Sequence, residues 1–307
     1  MVQGDAIVTI GLSLPLKYLI GAEETAGTKC FADAFGNPNN CLAELRRHGI
    51  GSIELNGINS GACGEDVLSA AKSVTSAGMF FTLHGYLPAK TQSSLLDTLV
   101  PVGDFLKERH AGTVVVVHAH ADSGMRGTDL VESTARALGQ LADGIHRRDL
   151  PIKTALEISR YHGVDTPGVT YDGLLKITMR LARPDVGFCW DMGHARSSVL
   201  QNKLPPVPPP AFVASVIHTH VHDLAPDGTT HWPLTEFSPY IVSCMSRLED
   251  SGYAGIYNLE LYPARWTAQQ KVRDEILGSV RRLMAIRRRI NGGHERDDHC
   301  FCREEVK

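Results

Sequence analysis

The sequence predicts an α/β protein built as a single-domain (β/α)8 barrel, and three observations carry that prediction. About eight short strand-like runs alternate with helical patterns at the spacing of βα units, which implies a parallel sheet. The run Thr113–His118 is continuously β-branched up to its final His, as expected of a strand buried on both faces. No Gly-rich dinucleotide fingerprint follows the first strand, which disfavours an open doubly wound sheet, and eight units in 307 residues suit a closed barrel.

In chain order, Ala6–Ser13 reads as the first strand, and Pro15–Pro38, rich in Gly and small residues, as a long irregular loop. Asn39 or Asn40 caps a helix with Leu42 and Leu45 on its apolar side, and Gly49 ends it. Ser52–Leu55 is the second strand and Glu65–Ser76 the helix after it. Phe80–His84 and Leu95–His110 form the third unit. Thr113–His118 is followed by a long amphipathic helix over Thr128–Arg148. Lys153–Ile158, Val186–Asp191, Val216–His222 and Ile256–Leu261 are the remaining strands, with helices over Tyr171–Leu181, Glu236–Glu249 and Ala268–Arg289. Pro205–Pro210 must be loop, because proline supplies no donor to a helix or sheet. The barrel is expected over residues 1–290, with a flexible polar tail over 291–307.

Composition narrows the function classes. Hydrophobic residues make up 43% and charged residues 21%, and the formal charge is -3, which disfavours a general nucleic-acid binder. No apolar run is long enough for a membrane span. The N-terminus lacks a basic segment and is interrupted by Asp5, Pro15 and Lys17, so it reads as a strand and not a signal peptide. Seven scattered cysteines do not resemble a disulfide framework, and a reducing, cytoplasmic location is expected. His294, His299, Cys300 and Cys302 in the tail read as a polar terminus without a site.

The chemistry collects at the strand ends. His218, His220 and His222 alternate along one strand and so share a face. Three imidazoles on one face need partners, either a metal or a hydrogen-bonded core pair with one surface His. The third strand ends at His84 and the fourth at His118, with His120 beyond it. Glu157 ends the fifth strand and Asp191 the sixth, with His194 following. His220, His222 and Asp223 belong to the seventh, and Glu260 to the eighth. A lone strand-end His or Glu is most often a polar loop contact. Acids and imidazoles at nearly all the late strand ends would instead meet at one mouth, where burying them without a cation costs several kcal/mol. Glu157, Asp191, His220 and Glu260 supply one ligand from each of four consecutive strands, a donor set suited to Mn²⁺, Co²⁺, Mg²⁺, Zn²⁺ or Fe²⁺.

The order Glu at strand five, Asp-Met-Gly-His at strand six, His-Val-His-Asp at strand seven and Glu at strand eight resembles the xylose-isomerase-like TIM-barrel superfamily over about residues 6–290. That group holds sugar phosphate isomerases and epimerases, inosose isomerases and dehydratases, and the AP endonuclease family 2 enzymes related to endonuclease IV. The resemblance implies Glu157, Asp191, His220 and Glu260 as metal ligands. Glu157 and Glu260 would also be the acid/base pair of an isomerase or epimerase that acts on a sugar, keto-sugar or cyclitol through an enediolate. His84, His118, His194 and His231 would bind substrate or a second metal, and Trp232 would wall the pocket. Arg160 and Arg196 are candidates for an anionic group, set against plain surface solvation. Two alternatives stand beside this expectation. One is an endonuclease IV-like multi-zinc phosphodiesterase acting on abasic DNA or a small phosphoester. Its Asp-x-His motif is incomplete here, with Thr229 in the Asp position and Asp227 at the wrong spacing. The other is a dehydratase or lyase that shares the proton-removal step. The expected partner is a small sugar-like molecule, with no membrane role and with nucleic acid disfavoured; a homo-oligomer is compatible with the sequence.

Overall fold

Strand side chains alternate, so each strand of a closed barrel sends one set inward and the other out to the helices. The second strand shows this plainly, with Ser52, Glu54 and Asn56 on one face and Ile53 and Leu55 on the other. In a computed structural model, which describes residues 9–22, 25–58, 63–87, 95–121, 127–235, 238–266 and 271–292, eight parallel strands pair in sequence order and β8 closes on β1. The strands are β1 Thr9–Pro15, β2 Ser52–Asn56, β3 Phe80–Tyr86, β4 Thr113–His118, β5 Ile152–Glu157, β6 Val186–Asp191, β7 Val216–Val221 and β8 Ile256–Leu259. The expected (β/α)8 barrel is therefore the observed one.

Around it run α1 Leu16–Leu19, α2 Ala26–Phe35, α3 Pro38–Arg47, α4 Gly64–Ser76, α5 Leu95–Glu108, α6 Gly127–Arg147, α7 Tyr171–Leu181, α8 Met192–Leu200, α9 Pro210–Val213, α10 Pro239–Asp250 and α11 Val272–Gly292. Outward strand residues such as Ile53, Leu83, Val115, Leu156 and Trp190 pack with the helices' apolar faces into one large core. Inside the barrel a small apolar cluster of Val116, Ala155 and Cys189 sits below the strand ends. No described helix is long and apolar enough to cross a membrane.

Several expectations need correction. Pro15–Pro38 is not an irregular loop, since it contains α1 and α2. The second helix starts at a reciprocal cap in which Thr25 Oγ1 accepts from the Thr28 N–H at 3.2 Å and the Thr25 N–H donates to Thr28 Oγ1 at 2.7 Å. The cap of α3 is Asn37, whose side chain accepts from the Asn40 N–H; Pro38 then occupies the first turn, where its missing N–H costs nothing. Gly49 does follow the helix end, with φ of 89°. The first strand begins at Thr9 among the described residues, and residues 6–8 lie outside them. The Pro-rich segment is loop up to Pro209, but Pro210 opens α9. Helix α10 starts at Pro239, with Glu236 outside the described residues, and α11 starts at Val272, with Ala268 outside them. That last helix runs through Gly292, and the Cys/His tail over 293–307 lies outside the described residues.

Candidate functional site

Register and alternation together build the site. In the parallel ladder His118 lies beside Glu157, and Asp191 beside His220. These four positions all face inward at the C-terminal ends of β4 to β7, where the active sites of such barrels form. Glu260 follows β8 and joins them. Glu157, Asp191 and His220 are fully buried and Glu260 nearly so. Imidazole Nδ1 of His220 lies 3.4 Å from Glu157 Oε2, 3.7 Å from Asp191 Oδ2 and 3.2 Å from Glu260 Oε2. One donor atom from each of Glu157, Asp191, His220 and Glu260 falls within 4.8 Å of every other.

Helix α8 was missed by the sequence reading, and it explains the Asp-Met-Gly-His motif. Asp191 Oδ1 accepts from the His194 N–H at 2.6 Å, so the residue that ends β6 also caps the helix that follows. The cap turns His194 back over the mouth, where its Nδ1 lies 3.1 Å from Glu157 Oε1 and 3.2 Å from Asp191 Oδ2. Gly193 is required by the same turn: a Cβ there would overlap the His222 ring. His222 Nδ1 accepts the His231 backbone N–H at 2.9 Å, which leaves its Nε2–H to donate to Asp191 at 3.0 Å from Oδ1. Replacing Gly193 by Ala should therefore push His222 off Asp191 and destabilise the fold by about 1–3 kcal/mol, the range for overpacking. A drop in the urea midpoint together with weaker metal uptake is the expected readout; an unchanged midpoint would show that the ring has room to move.

The other expected histidines divide around this centre. His84 Nε2 and His118 Nε2 lie 3.3 Å and 3.5 Å from Glu157 Oε2, and 3.1 Å from each other. His231 Nε2 lies 3.3 Å from Glu260 Oε2. Two residues that the strand-end argument pointed to the mouth do something else. His120 turns away to Ser133 Oγ at 2.9 Å. Asp223 is an anchor for the seventh loop, accepting from Thr235 and Ser238 hydroxyls and pairing with Arg196, so that arginine is not free for an anionic ligand. Asp227 is bound to the Thr229 N–H. Trp232 bridges the Asp223 backbone and packs edgewise on Trp266.

The residue that sequence reasoning overlooked is Glu54. It is fully buried inside the barrel, and His220 Nε2 and His218 Nε2 lie 2.9 Å and 3.1 Å from its Oε2. The signal was present: Ser52, Glu54 and Asn56 make an all-polar inward face on a strand whose other face is Ile and Leu.

Charge fixes what the cluster needs. Glu54, Glu157, Asp191 and Glu260 are four buried acids whose ion-pair contacts among the described residues are all with imidazoles, none with Lys or Arg. Burial alone would raise their pKa values, but facing histidines hold Glu54, Glu157 and Glu260 well below the usual carboxylate range. Against its own burial, the nearby carboxylates of Glu260 and Glu54 push His84 up to about 10. The carboxylates of Asp191 and Glu157 likewise carry His194 up to about 9. Burial and the neighbouring His222 bring His231 down to about 4.

The same atoms are left without hydrogen bonds. Glu157 Oε1 and Oε2, Glu260 Oε2, His84 Nδ1, His194 Nδ1 and His220 Nδ1 are all buried, and their contacts with one another fall short of hydrogen bonds. Orphaned acceptors facing one another are costly, and a cation satisfies them together. Bonds of about 2.0–2.1 Å around a tetrahedral ion put neighbouring ligand atoms roughly 3.3 Å apart, close to the 3.2–3.7 Å separations around His220 Nδ1. The residues present thus fit a divalent metal.

Comparison with known proteins agrees with this architecture. The family model described as xylose isomerase-like TIM barrel matches residues 65–282. A D-tagatose 3-epimerase-like protein shares 15% identity at a TM-score of 0.60, covering 92% of this chain and 98% of that one. An L-ribulose 3-epimerase shares 14% at 0.59, covering 95% and 100%. The IOLI protein, solved with a zinc atom, shares 13% at 0.55, covering 91% and 97%. No curated protein matches the sequence. At such identities the solved structures show a common fold. The match over most of its length places the chain in the xylose isomerase-like TIM barrel family.

Proposed function

We propose that the protein is a divalent-metal-dependent isomerase or epimerase of a sugar, keto-sugar or cyclitol, with Glu157, Asp191, His220 and Glu260 as the metal ligands and Glu157 and Glu260 as the acid/base pair. The observation that carries this reading is the convergence within 4.8 Å of one buried donor atom each from Glu157, Asp191, His220 and Glu260, with Glu157, His220 and Glu260 each holding a donor atom that has no hydrogen bond. When bound there, Mn²⁺, Co²⁺, Mg²⁺ or Zn²⁺ supplies positive charge that stabilises an oxygen anion beside a carbon losing its proton. The chain's own residues do the rest. Glu157 and Glu260 reach the centre from strands β5 and β8, so one carboxylate removes the carbon-bound proton and the other returns one. His84, His118, His194 and His231 hold the acids in place and present ring nitrogens to substrate hydroxyls. Arg160 follows β5, and its buried Nε has no hydrogen-bond partner among the described residues.

The test is solvent deuterium exchange. Metal-loaded protein incubated in heavy water with a panel of ketoses and inososes should place deuterium on one carbon beside the carbonyl, with conversion to an isomer or epimer. Loss of water from the product instead would identify the dehydratase form of the same chemistry. A panel without any exchange contradicts the proposal.

One observation favours a second reading. His84 and His118 point two Nε2 atoms at each other across 3.1 Å with a Glu157 oxygen beside both. His84, His118 and Glu157 could hold a second cation, whose charge would suit phosphoester hydrolysis. Cleavage of a small phosphodiester or of abasic DNA, without deuterium exchange into any ketose, would select it.

A further inference from the structure

The interior of a (β/α)8 barrel is ordinarily filled by layers of branched apolar side chains. Here only one side of the lumen is apolar, with Val116, Ala155 and Cys189. On the other side, beneath the proposed metal ligands, Ser13, Glu54, His218 and Asn258 form a polar network, each of them almost or wholly buried. Burying a carboxylate here without Lys or Arg costs several kcal/mol, so its partners have to account for it.

The direction of each hydrogen bond can be worked out. The Asn258 side-chain amide donates to Ser13 Oγ at 2.8 Å, and Ser13 spends its own hydrogen on Glu54 Oε1 at 2.7 Å. Glu54 has only acceptors to offer. His220, 2.9 Å from Oε2, must therefore donate through Nε2–H. A neutral imidazole with its proton on Nε2 carries a bare lone pair on Nδ1. That Nδ1 is the atom facing Glu157, Asp191 and Glu260, where it has no hydrogen bond.

We propose that Glu54 is the positioning residue of the metal centre: it locks His220 into the Nε2–H tautomer, aims its Nδ1 lone pair at the metal and, through its own charge, makes that nitrogen a stronger ligand. Carboxylate partners of metal-binding histidines act in this way elsewhere, and losing one typically costs 10–100-fold in metal affinity. In this assignment Glu54 acts through His220: its side-chain contacts are with Ser13, His84, His218 and His220. The inference rests on the metal reading above and assigns the residue beneath it.

The experiment compares wild-type protein with Glu54→Gln by cobalt(II) binding in competition with a chromophoric chelator, by the visible ligand-field spectrum of the bound cobalt, and by thermal unfolding of the metal-free forms. The expected result is affinity weakened by roughly 10–100-fold, with an altered cobalt spectrum and a metal-free unfolding temperature that does not fall. Equal affinity and an identical spectrum overturn the role of Glu54 while leaving the metal centre standing. If wild-type protein binds no cobalt, zinc, manganese or magnesium, the metal reading fails and this proposal with it. Should Glu54→Gln not fold, long-range proton–nitrogen spectra of histidine-labelled, zinc-loaded wild-type protein decide the matter: a proton on His220 Nε2 supports the proposal, and a proton on Nδ1 overturns it.

Discussion

Glu157→Gln is expected to abolish turnover and to weaken metal binding at the same time. Glu157 is fully buried and meets His84, His118, His194 and His220. The amide is nearly the same shape but cannot accept a proton, and general acid–base catalysis alone contributes about 10²–10⁴-fold. The change also removes a negative charge from a carboxylate that belongs to both the four-residue set and the group with His84 and His118. Steady-state kinetics on whichever ketose or inosose exchanges deuterium, paired with metal content, would measure both effects. Glu260→Gln serves as the comparison: it should also stop turnover, while leaving the His84–His118–Glu157 triangle intact. Activity that survives in Glu157→Gln would remove this residue from the acid/base pair.

Metal removal is expected to have the second large effect, on stability. Without a cation, Glu54, Glu157, Asp191 and Glu260 rely on shared imidazole protons to offset their repulsion. A ligand that binds only the folded state stabilises it by about 2.7 kcal/mol at a hundred times its Kd. For a chain of this size that corresponds to a rise of roughly 4 °C in Tm. Chelator-treated protein should therefore melt several degrees below protein resupplied with manganese, cobalt or zinc, and Asp191→Asn should lose most of that increment. A Tm that ignores added metal would mean that the buried acids are held by protons alone.

Much of this arrangement was legible in the sequence because barrel geometry follows from two periodicities. Strand alternation put His218, His220 and His222 on one face, and the βα rhythm put Glu157, Asp191 and Glu260 at the same end of the barrel. What was illegible depended on side-chain direction beyond the strands. His120 and Asp223 sit at strand ends as the proposed ligands do, yet they bond to Ser133 and to the Thr235 and Ser238 hydroxyls. Helix α2 escaped notice because its cap pairs two threonines where a Glu or Gln would have been a stronger signal, and because Gly and Ala dilute its apolar face. Helix α8 was hidden because Asp191 reads as a strand-end ligand, and a single residue can be both ligand and cap. Glu54 was passed over because the strand ends drew attention to the mouth, whereas this acid lies one layer beneath it, at the middle of β2.

The most direct test of the account is the metal content of protein purified without added metal or chelator, determined before and after dialysis against divalent salts. The account predicts about one tightly held divalent ion per chain, lost when His220 or Asp191 is replaced by Ala. Two or three zinc ions would bring the His84–His118 triangle into use and shift the search to phosphoesters. A protein that carries no divalent ion and takes none up would contradict the claim that these four strand ends form a metal centre.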